Sequence, residues 1–224
     1  MLQEKLNFLL EKYSVPGKGI LCADKCVLNK NGKEIPLLPW RCERRFAELK
    51  KLANNGTLEG ISVIRVLHID TEDKTLEPLI LRELDLCEYI LGSKVIKTVA
   101  FFSEDKAVNL VATMENSVVC TIEISLSLKK GSEMIDKHEI IAQRGVVCDR
   151  VVDTQVPQKS IYLFGKENKS YLDVDFELYG LDVEQISMVR QAFEAMKNEE
   201  LCGRLSEDFV HLKNLTELVK KGAF

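Results

Sequence analysis

Apolar residues recur at helical spacing in several segments of the chain. In its first half, this spacing predicts helices over residues 2–13, 41–54 and 79–91. Two further helices are predicted near the end of the chain. One follows Asp182, which starts a capping-box signature, and the other begins at Ser206, which is followed by acidic residues.

Between these helices the pattern changes to one that is typical of strands. Apolar and polar side chains alternate through Ser117–Leu128, which predicts a strand with one dry and one wet face. Residues 23–40 are predicted to be irregular, with Asn31-Gly32 as a tight turn. The other predicted strands are 19–22, 62–69, 95–102, 108–114, 138–142, 146–152, 160–164 and 170–178.

Strands joined by short turns, with helices before and after them, predict an α+β fold. We expect a large, mostly antiparallel (mixed) open sheet with helices packed on one face. The other face needs a cover, because Phe101, Phe102 and Tyr162 would otherwise lie in water. A homodimer or higher homo-oligomer that closes sheet against sheet is therefore expected.

Composition narrows the classes of partner. The chain has 224 residues, enough for one large or two small domains, and its net charge of −4 argues against a nucleic-acid partner. It contains no apolar run of the roughly 18–20 residues that cross a membrane and no signal-peptide pattern at its start. We therefore expect a cytoplasmic protein whose seven cysteines are reduced.

The predicted helix at 79–91 carries the most informative pattern. Its apolar stripe consists of Ile80, Leu84, Cys87 and Leu91. On another face, Arg82 and Asp85 form an ionisable pair. The segment resembles the G-I-H-x-x-D-L helix of the glucose–fructose oxidoreductase / inositol dehydrogenase (Gfo/Idh/MocA) family, in which the His and the Asp line the substrate pocket. Asp85 matches that Asp, whereas Arg82 stands in place of the His.

The resemblance implies that Arg82 and Asp85 bind substrate. Arg82 cannot act as a base, because a guanidinium stays protonated, but it could bind a carboxylate or a phosphate. The alternative for Asp85 is a surface salt bridge with Arg82, one helical turn away. The residues alone favour neither interpretation.

Other segments of the chain resemble the same family in the same order. They are Arg41–Glu59, Met114–Ile122, Glu139–Gly145 and Ser206–Gly222. Residues 41–224 are accordingly expected to form the family's α+β second domain.

The start of the chain resembles the end of that family's nucleotide-binding domain. Residues 17–29, G-K-G-I-L-C-A-D-K-C-V-L-N, are similar to G-K-H-V-L-C-E-K-P-L-A-L-N. The resemblance makes residues 1–40 a remnant of that domain and Lys25 a relic of its catalytic lysine, with Cys26 in place of the proline. The alternative is that Lys25 is simply a solvated loop residue.

The family uses NAD or NADP, but no dinucleotide motif is present here. The twelve glycines never spell G-x-G-x-x-G/A, and only 24 residues precede Lys25, too few for a βαβ unit. We therefore expect no cofactor for this chain.

The preferred hypothesis is a truncated oxidoreductase-like protein without an autonomous NAD(P) site, which serves as an oligomeric domain or binds a small anionic or polyol ligand. One alternative is an NAD(P)-dependent sugar or polyol dehydrogenase whose nucleotide-binding half comes from another chain. A second alternative is a purely structural or regulatory partner.

Overall fold

The computed structural model describes residues 1–149, 160–164, 169–172 and 177–222. The chain divides into two compact units. The first unit comprises Met1–Phe46 and Val174–Lys213, and the second comprises Ala47–Asp173 and Asn214–Phe224.

The described residues form five α-helices and eleven strands. The helices are α1 (Leu2–Lys12), α2 (Arg44–Asn54), α3 (Leu76–Leu91), α4 (Val183–Lys197) and α5 (Glu199–Lys220). The strands are β1 (Gly19–Cys22), β2 (Val27–Lys30), β3 (Lys33–Pro36), β4 (Ile61–Thr71), β5 (Val95–Ser103), β6 (Ala107–Met114), β7 (Val119–Leu128), β8 (Ile135–Ala142), β9 (Gly145–Cys148), β10 (Ser160–Phe164) and β11 (Lys169–Leu172).

In the first unit, α1 and α4 pack together and both contact β1 of a three-stranded sheet, ordered β1-β2-β3. The prediction that residues 23–40 are irregular is wrong, because β2 and β3 form a hairpin. Its turn is Asn31-Gly32, whose φ values of 54° and 80° are both positive, as a two-residue hairpin turn of type I′ requires. The turn was recognised from the sequence, but the strands beside it were not.

The second unit contains an eight-stranded sheet, ordered β11-β10-β9-β8-β4-β7-β6-β5. Only the β4–β7 pair among these described strands is parallel. Even-numbered side chains are buried at 64–70 in β4, 108–114 in β6, 120–126 in β7 and 136–140 in β8, and α3 packs against β6 and β7. The predicted α+β fold, with a mixed open sheet and helical cover on one face, is confirmed.

The helix α3 has its apolar stripe where the sequence predicts it. Ile80, Leu84, Cys87 and Leu91 are all buried. Arg82 and Asp85, on another face of the helix, are buried as well, so they do not form a surface salt bridge. The reason is that the N-terminal half of α3 carries ionic partners for the sheet rather than facing solvent.

The last helices also depart from prediction in one place. The capping box of α4 is present, with Asp182 Oδ1 accepting a 2.9 Å hydrogen bond from the Gln185 amide. The predicted start of α5 at Ser206 is wrong, since the helix begins at Glu199. Asn198 Oδ1 accepts from the Leu201 amide there, and Ser206 instead donates to the Cys202 carbonyl inside the helix.

Two late strands differ from their predictions. The strand predicted over 146–152 ends at Cys148. Of the segment predicted as a strand over 170–178, residues up to Leu172 belong to β11, whereas residues 177 and 178 lie in a turn. Residues 150–152 and 173–176 lie outside the described part of the chain, as does the side chain of Tyr162. None of the described helices is long and apolar enough to cross a membrane.

Candidate functional site

The N-terminal half of α3 meets the sheet of the second unit through a buried ionic network. Its centre is the Glu83 carboxylate, which is fully buried. Glu83 Oε1 accepts a 2.8 Å hydrogen bond from His68 Nδ1, and Glu83 Oε2 accepts one of 2.8 Å from His138 Nε2. Arg82, the preceding residue, forms an ion pair with the same carboxylate. A carboxylate that accepts from three donors is locked in place.

The network keeps Glu83 and His138 in their charged forms. Burial by itself raises the pKa of Glu83, but the charges of Arg82 and His138 and the imidazole hydrogen bonds together hold that pKa well below 4.5. Burial likewise lowers the pKa of His138, yet Asp149 and Glu83 outweigh it and raise the pKa to about 9. His138 is therefore an imidazolium at neutral pH and cannot accept a proton.

Asp149, directly after β9, completes the surroundings of His138. Its carboxylate accepts a 2.8 Å hydrogen bond from His138 Nδ1 and a 2.7 Å hydrogen bond from the His138 backbone amide. Both imidazole nitrogens of His138 thus donate to carboxylates. This geometry fits the doubly protonated ring, because an ionised carboxylate can only accept.

The two residues that the sequence proposed for substrate binding lie in or beside this network. Arg82 donates a 2.8 Å hydrogen bond from Nη2 to Asp136 Oδ2, in addition to its pair with Glu83. Asp85 is fully buried on the same helix. The guanidinium of Arg82 is therefore engaged by two carboxylates of the protein itself. Ligand binding by Arg82 and Asp85 stays a prediction.

One imidazole nitrogen in the network is less constrained than the others. His68 Nε2 is buried and has no hydrogen-bond partner among the described residues. Asp70 Oδ2 lies 3.8 Å from this nitrogen, which is too far for a hydrogen bond. Within the described residues, no group of three or more side chains is arranged to hold a metal ion.

Lys25 lies in the first unit, in a short 3₁₀ turn between β1 and β2. Its side chain is exposed. Cys26, which takes the place of the family's proline, has a left-handed backbone with a φ of 52° and follows a trans peptide bond. The structure gives Lys25 the surroundings of a solvated loop lysine, and its role as a relic of a catalytic lysine stays a prediction.

Sequence reasoning missed the other members of the network. His68 and Asp70 are two residues apart on β4, and Asp136 and His138 are two residues apart on β8, so each pair points to one face. The register places His68 directly opposite Asp136. A prediction of β8 from residue 135 rather than 138 would have placed these groups on the dry face of the sheet.

The face of the eight-stranded sheet that lies opposite α3 is called the open face here. It is formed by odd-numbered side chains that are partly or fully exposed. Its members in β4, β5, β6, β7 and β8 include Val63, Arg65, Leu67, Ile69, Val99, Phe101, Val111, Thr121, Glu123, Lys137 and Glu139. Phe101 is 70% exposed. A face with this many apolar side chains is unusual for an isolated chain in water.

Comparison with known proteins identifies the fold. No protein-family model matches the chain, and no curated protein matches its sequence. An oxidoreductase from Pseudomonas syringae is 10% identical, with a TM-score of 0.65, over 99% of this chain and 66% of that one. An inositol dehydrogenase homolog from Azotobacter vinelandii, solved with NADH and myo-inositol, is 12% identical, with a TM-score of 0.62, over 84% of this chain and 62% of that one.

The fold also occurs outside oxidoreductases. The transcriptional regulator Gal80p from Kluyveromyces lactis is 14% identical, with a TM-score of 0.66, over 84% of this chain and 58% of that one. The chain thus spans between 58% and 66% of these three proteins. The resemblance to the Gfo/Idh/MocA family is confirmed at the level of the fold.

Proposed function

We propose that this chain is an oxidoreductase-like domain that performs no hydride transfer by itself and that self-associates through the open face of its sheet. The observation that carries the first half is the state of Arg82. It occupies the position where the resemblance places a histidine of the substrate pocket, it stays protonated and so cannot act as a base, and two carboxylates of the protein engage it.

The neighbouring imidazoles do not replace the missing base. His138 carries a proton on each ring nitrogen and is enclosed by carboxylates. His68 uses Nδ1 for Glu83. The network therefore acts as a static ionic joint between α3 and the sheet. A fold shared with a transcriptional regulator is compatible with a role that involves no catalysis.

The second half of the proposal rests on the open face. Aromatic and β-branched side chains on this face, such as Phe101 and Val99, are about half exposed or more. Burying them against the same face of a second copy would remove them from water at roughly 25 cal/mol per Å² of apolar area. Such a contact is isologous and closes on itself.

Two measurements on the full chain test the proposal. Titration of NADH and NADPH fluorescence should show no saturable binding, and the chain alone should not oxidise myo-inositol or other polyols. Sedimentation velocity should show a dimer at micromolar concentration. Tight NAD(P)H binding with turnover would overturn the first half, and a monomer at all concentrations would overturn the second.

A second candidate function is the dehydrogenase whose nucleotide-binding half comes from another chain. The outer edge of β1 favours it. Gly19 O and Leu21 N point away from β2, and both are bonded by the Gln3 side chain, at 2.9 and 2.8 Å, rather than by a strand. A groove of about 750 Å³ runs beside this edge between α1 and residues 14–20. A partner strand could replace Gln3 there.

This candidate has its own test. A separate Rossmann-type protein, added to the chain with NAD(P) and a polyol, should restore turnover, and Lys25→Ala should abolish that turnover. Lys33→Ala, at another exposed lysine of the first unit, is the matched control and should retain it. Turnover that survives Lys25→Ala would separate the activity from the motif.

A further inference from the structure

The outer edge of β1 carries backbone groups that no strand occupies among the described residues. β1 pairs with β2 on its other side, in the sheet order β1-β2-β3. At the outer edge, Gly19 O accepts a 2.9 Å hydrogen bond from Gln3 Nε2, and the Leu21 amide donates one of 2.8 Å to Gln3 Oε1. The Gly19 amide and the Leu21 carbonyl point to the same side, because both backbone groups of a residue face one neighbour in an antiparallel ladder. The edge therefore offers four groups, of which Gln3 engages two.

The bonds of Gln3 indicate which chemical group this edge accepts and in which direction it runs. A carboxamide presents one N–H donor and one C=O acceptor, as a backbone residue does. Both come from one side chain here, and they reach the residues on either side of Ile20. In a parallel pair of strands, one residue of the neighbour makes these two bonds, whereas in an antiparallel pair they come from two different residues. The edge thus fits an extended backbone that runs parallel to β1.

The groove of about 750 Å³ beside this edge provides the space for such a strand. Its charged lining residues, within the described part of the chain, are Glu11 and Lys18, which have opposite signs. A groove without net charge does not concentrate anions, which disfavours a nucleotide or a nucleic acid as the occupant. β1 has four residues and is about 13 Å long at roughly 3.3 Å per residue. A segment of about five residues is therefore long enough to use the whole edge.

The surroundings of β1 also select the side chains of the added segment. The residue that bonds Gly19 O and the Leu21 amide would lie beside Ile20 and share its face of the sheet. Ile20 is 62% exposed, so an apolar β-branched residue at that position would cover it. The residues before and after it face the side on which Gly19 meets Met196 of α4. Small side chains fit there, because Met196 leaves little room.

The parallel direction argues for a different polypeptide rather than a second copy of β1. Two identical edge strands that join into one continuous sheet about a twofold axis run antiparallel to each other. That arrangement does not reproduce the pair of bonds that Gln3 makes from one point along the edge. The edge of β1 is therefore not self-complementary in the direction that its bonds favour.

We propose that the outer edge of β1 binds an extended segment of another polypeptide, which displaces the Gln3 side chain and adds as a fourth strand parallel to β1. Main-chain hydrogen bonds to Gly19 and Leu21 supply affinity, and the side chain beside Ile20 supplies specificity. The segment can use all four outward groups, and the released carboxamide of Gln3 can bond to water. The inference rests on the second candidate function for a partner from another chain, and it adds the kind of segment, its direction and its register.

Selection of peptides on the full native chain tests the site. A library of random octapeptides displayed on phage is the probe, and fluorescein-labelled synthetic copies of the enriched peptides give Kd by fluorescence polarisation. Gln3→Ala should lower Kd about threefold or more, because the peptide no longer competes with the carboxamide. Glu4→Ala, at the adjacent exposed position of α1 outside the groove lining, is the matched control and should leave Kd unchanged. Circular dichroism and thermal melting check that both variants are folded.

Two changes in the peptide test its conformation and direction. Methylation of single backbone nitrogens should raise Kd about tenfold at every second position and less than about twofold between them, because alternate N–H groups of a strand face β1. A nitroxide at the peptide's N-terminus should broaden the NMR signals of residues 17–19 more than those of residues 22–24. The same label at its C-terminus should do the reverse, as a parallel strand requires.

The outcomes separate this inference from the function on which it rests. A chain that enriches no peptide, a Kd that Gln3→Ala does not lower, or a methylation series without a period of two overturns the strand site. Broadening in the opposite order overturns the parallel assignment. A chain that binds peptides in the expected way, yet gives no turnover with a Rossmann-type protein, supports the strand site and refutes the two-chain dehydrogenase.

Discussion

Glu83 and His138 are joined by a 2.8 Å hydrogen bond between two charged groups that are both buried in the second unit. Fifty-five residues of chain separate them. Such a pair costs desolvation energy, which its partners offset only when all of them are present. The network should therefore respond strongly to the loss of any one charge.

The first prediction is that Glu83→Gln lowers the free energy of unfolding by about 3–5 kcal/mol, because it leaves Arg82 and His138 without their shared carboxylate. Urea denaturation at neutral pH measures the change. Glu72→Gln, at an exposed position of the same unit, should change it by less than about 0.5 kcal/mol. A loss at Glu83 as small as that at Glu72 would contradict the ionic network.

The second prediction concerns pH. The pKa of His138 is raised from 6.5 to about 9, so its stabilising effect is fully present below pH 6.5 and is lost as the pH rises through 9. The shift corresponds to on the order of 3 kcal/mol. The free energy of unfolding should therefore fall between these pH values in the native chain. In His138→Gln, the free energy of unfolding should be lower at pH 6.5 and should change less between pH 6.5 and 9.

Lowering the pH should also destabilise the network, through protonation of Glu83. Because the pKa of Glu83 is held well below 4.5, its contribution is present above pH 4.5 and is lost as the pH falls through the lowered value. Stability curves recorded from acid to alkaline pH should show a maximum between about 4.5 and 6.5. A native curve that rises steadily from pH 6.5 to 9 would contradict the charged state of His138.

The third prediction concerns Gln191 on α4. Its buried carboxamide donates a 2.7 Å hydrogen bond to the Leu38 carbonyl and accepts one from the Leu38 amide. Gln191→Leu leaves both backbone groups unsatisfied, which should lower the free energy of unfolding by about 2–4 kcal/mol. Glu194→Gln, exposed on the same helix, should leave it nearly unchanged. Equal melting temperatures of the two variants would refute the role of Gln191.

The fourth prediction compares two glycines of the first unit. A methyl group at Gly19 would lie 2.7 Å from Met196 Sδ and 2.9 Å from Leu28 Cδ1, so Gly19→Ala should destabilise the chain by about 1–3 kcal/mol. Gly203 lies within α5 with nothing within 4 Å of an added methyl. Gly203→Ala should instead stabilise the chain by about 1 kcal/mol. Thermal melting should therefore shift in opposite directions.

Local signals allowed much of the fold to be predicted. The capping box at Asp182 and the stripe that begins at Ile80 depend on residues only a few positions apart, and both are confirmed. Ser206 misled the prediction because its hydroxyl bonds inside the helix, whereas Asn198 caps the true start. Short strands such as β2 and β3 carry too few residues for alternation to be visible.

The ionic network could not be predicted, for a different physical reason. His68, Asp136 and His138 occupy dry-face positions, where they break the alternation that identifies a strand. Their partner Glu83 is distant in sequence, so only the register of β4 and β8 brings the groups together. Arg82 was identified from its position in a motif, but its pairing with Asp136 depends on tertiary structure.

The position of the Gln3 side chain has a consequence for the tendency of this protein to aggregate. An unpaired strand edge is a template on which another chain can add, and this is one route to aggregation. By bonding Gly19 O and Leu21 N, the carboxamide of Gln3 imitates one peptide group of the absent neighbour. One side chain thus occupies the hydrogen-bonding groups at the edge of β1. It disfavours non-specific strand addition there, and a strand that forms stronger hydrogen bonds can still displace it.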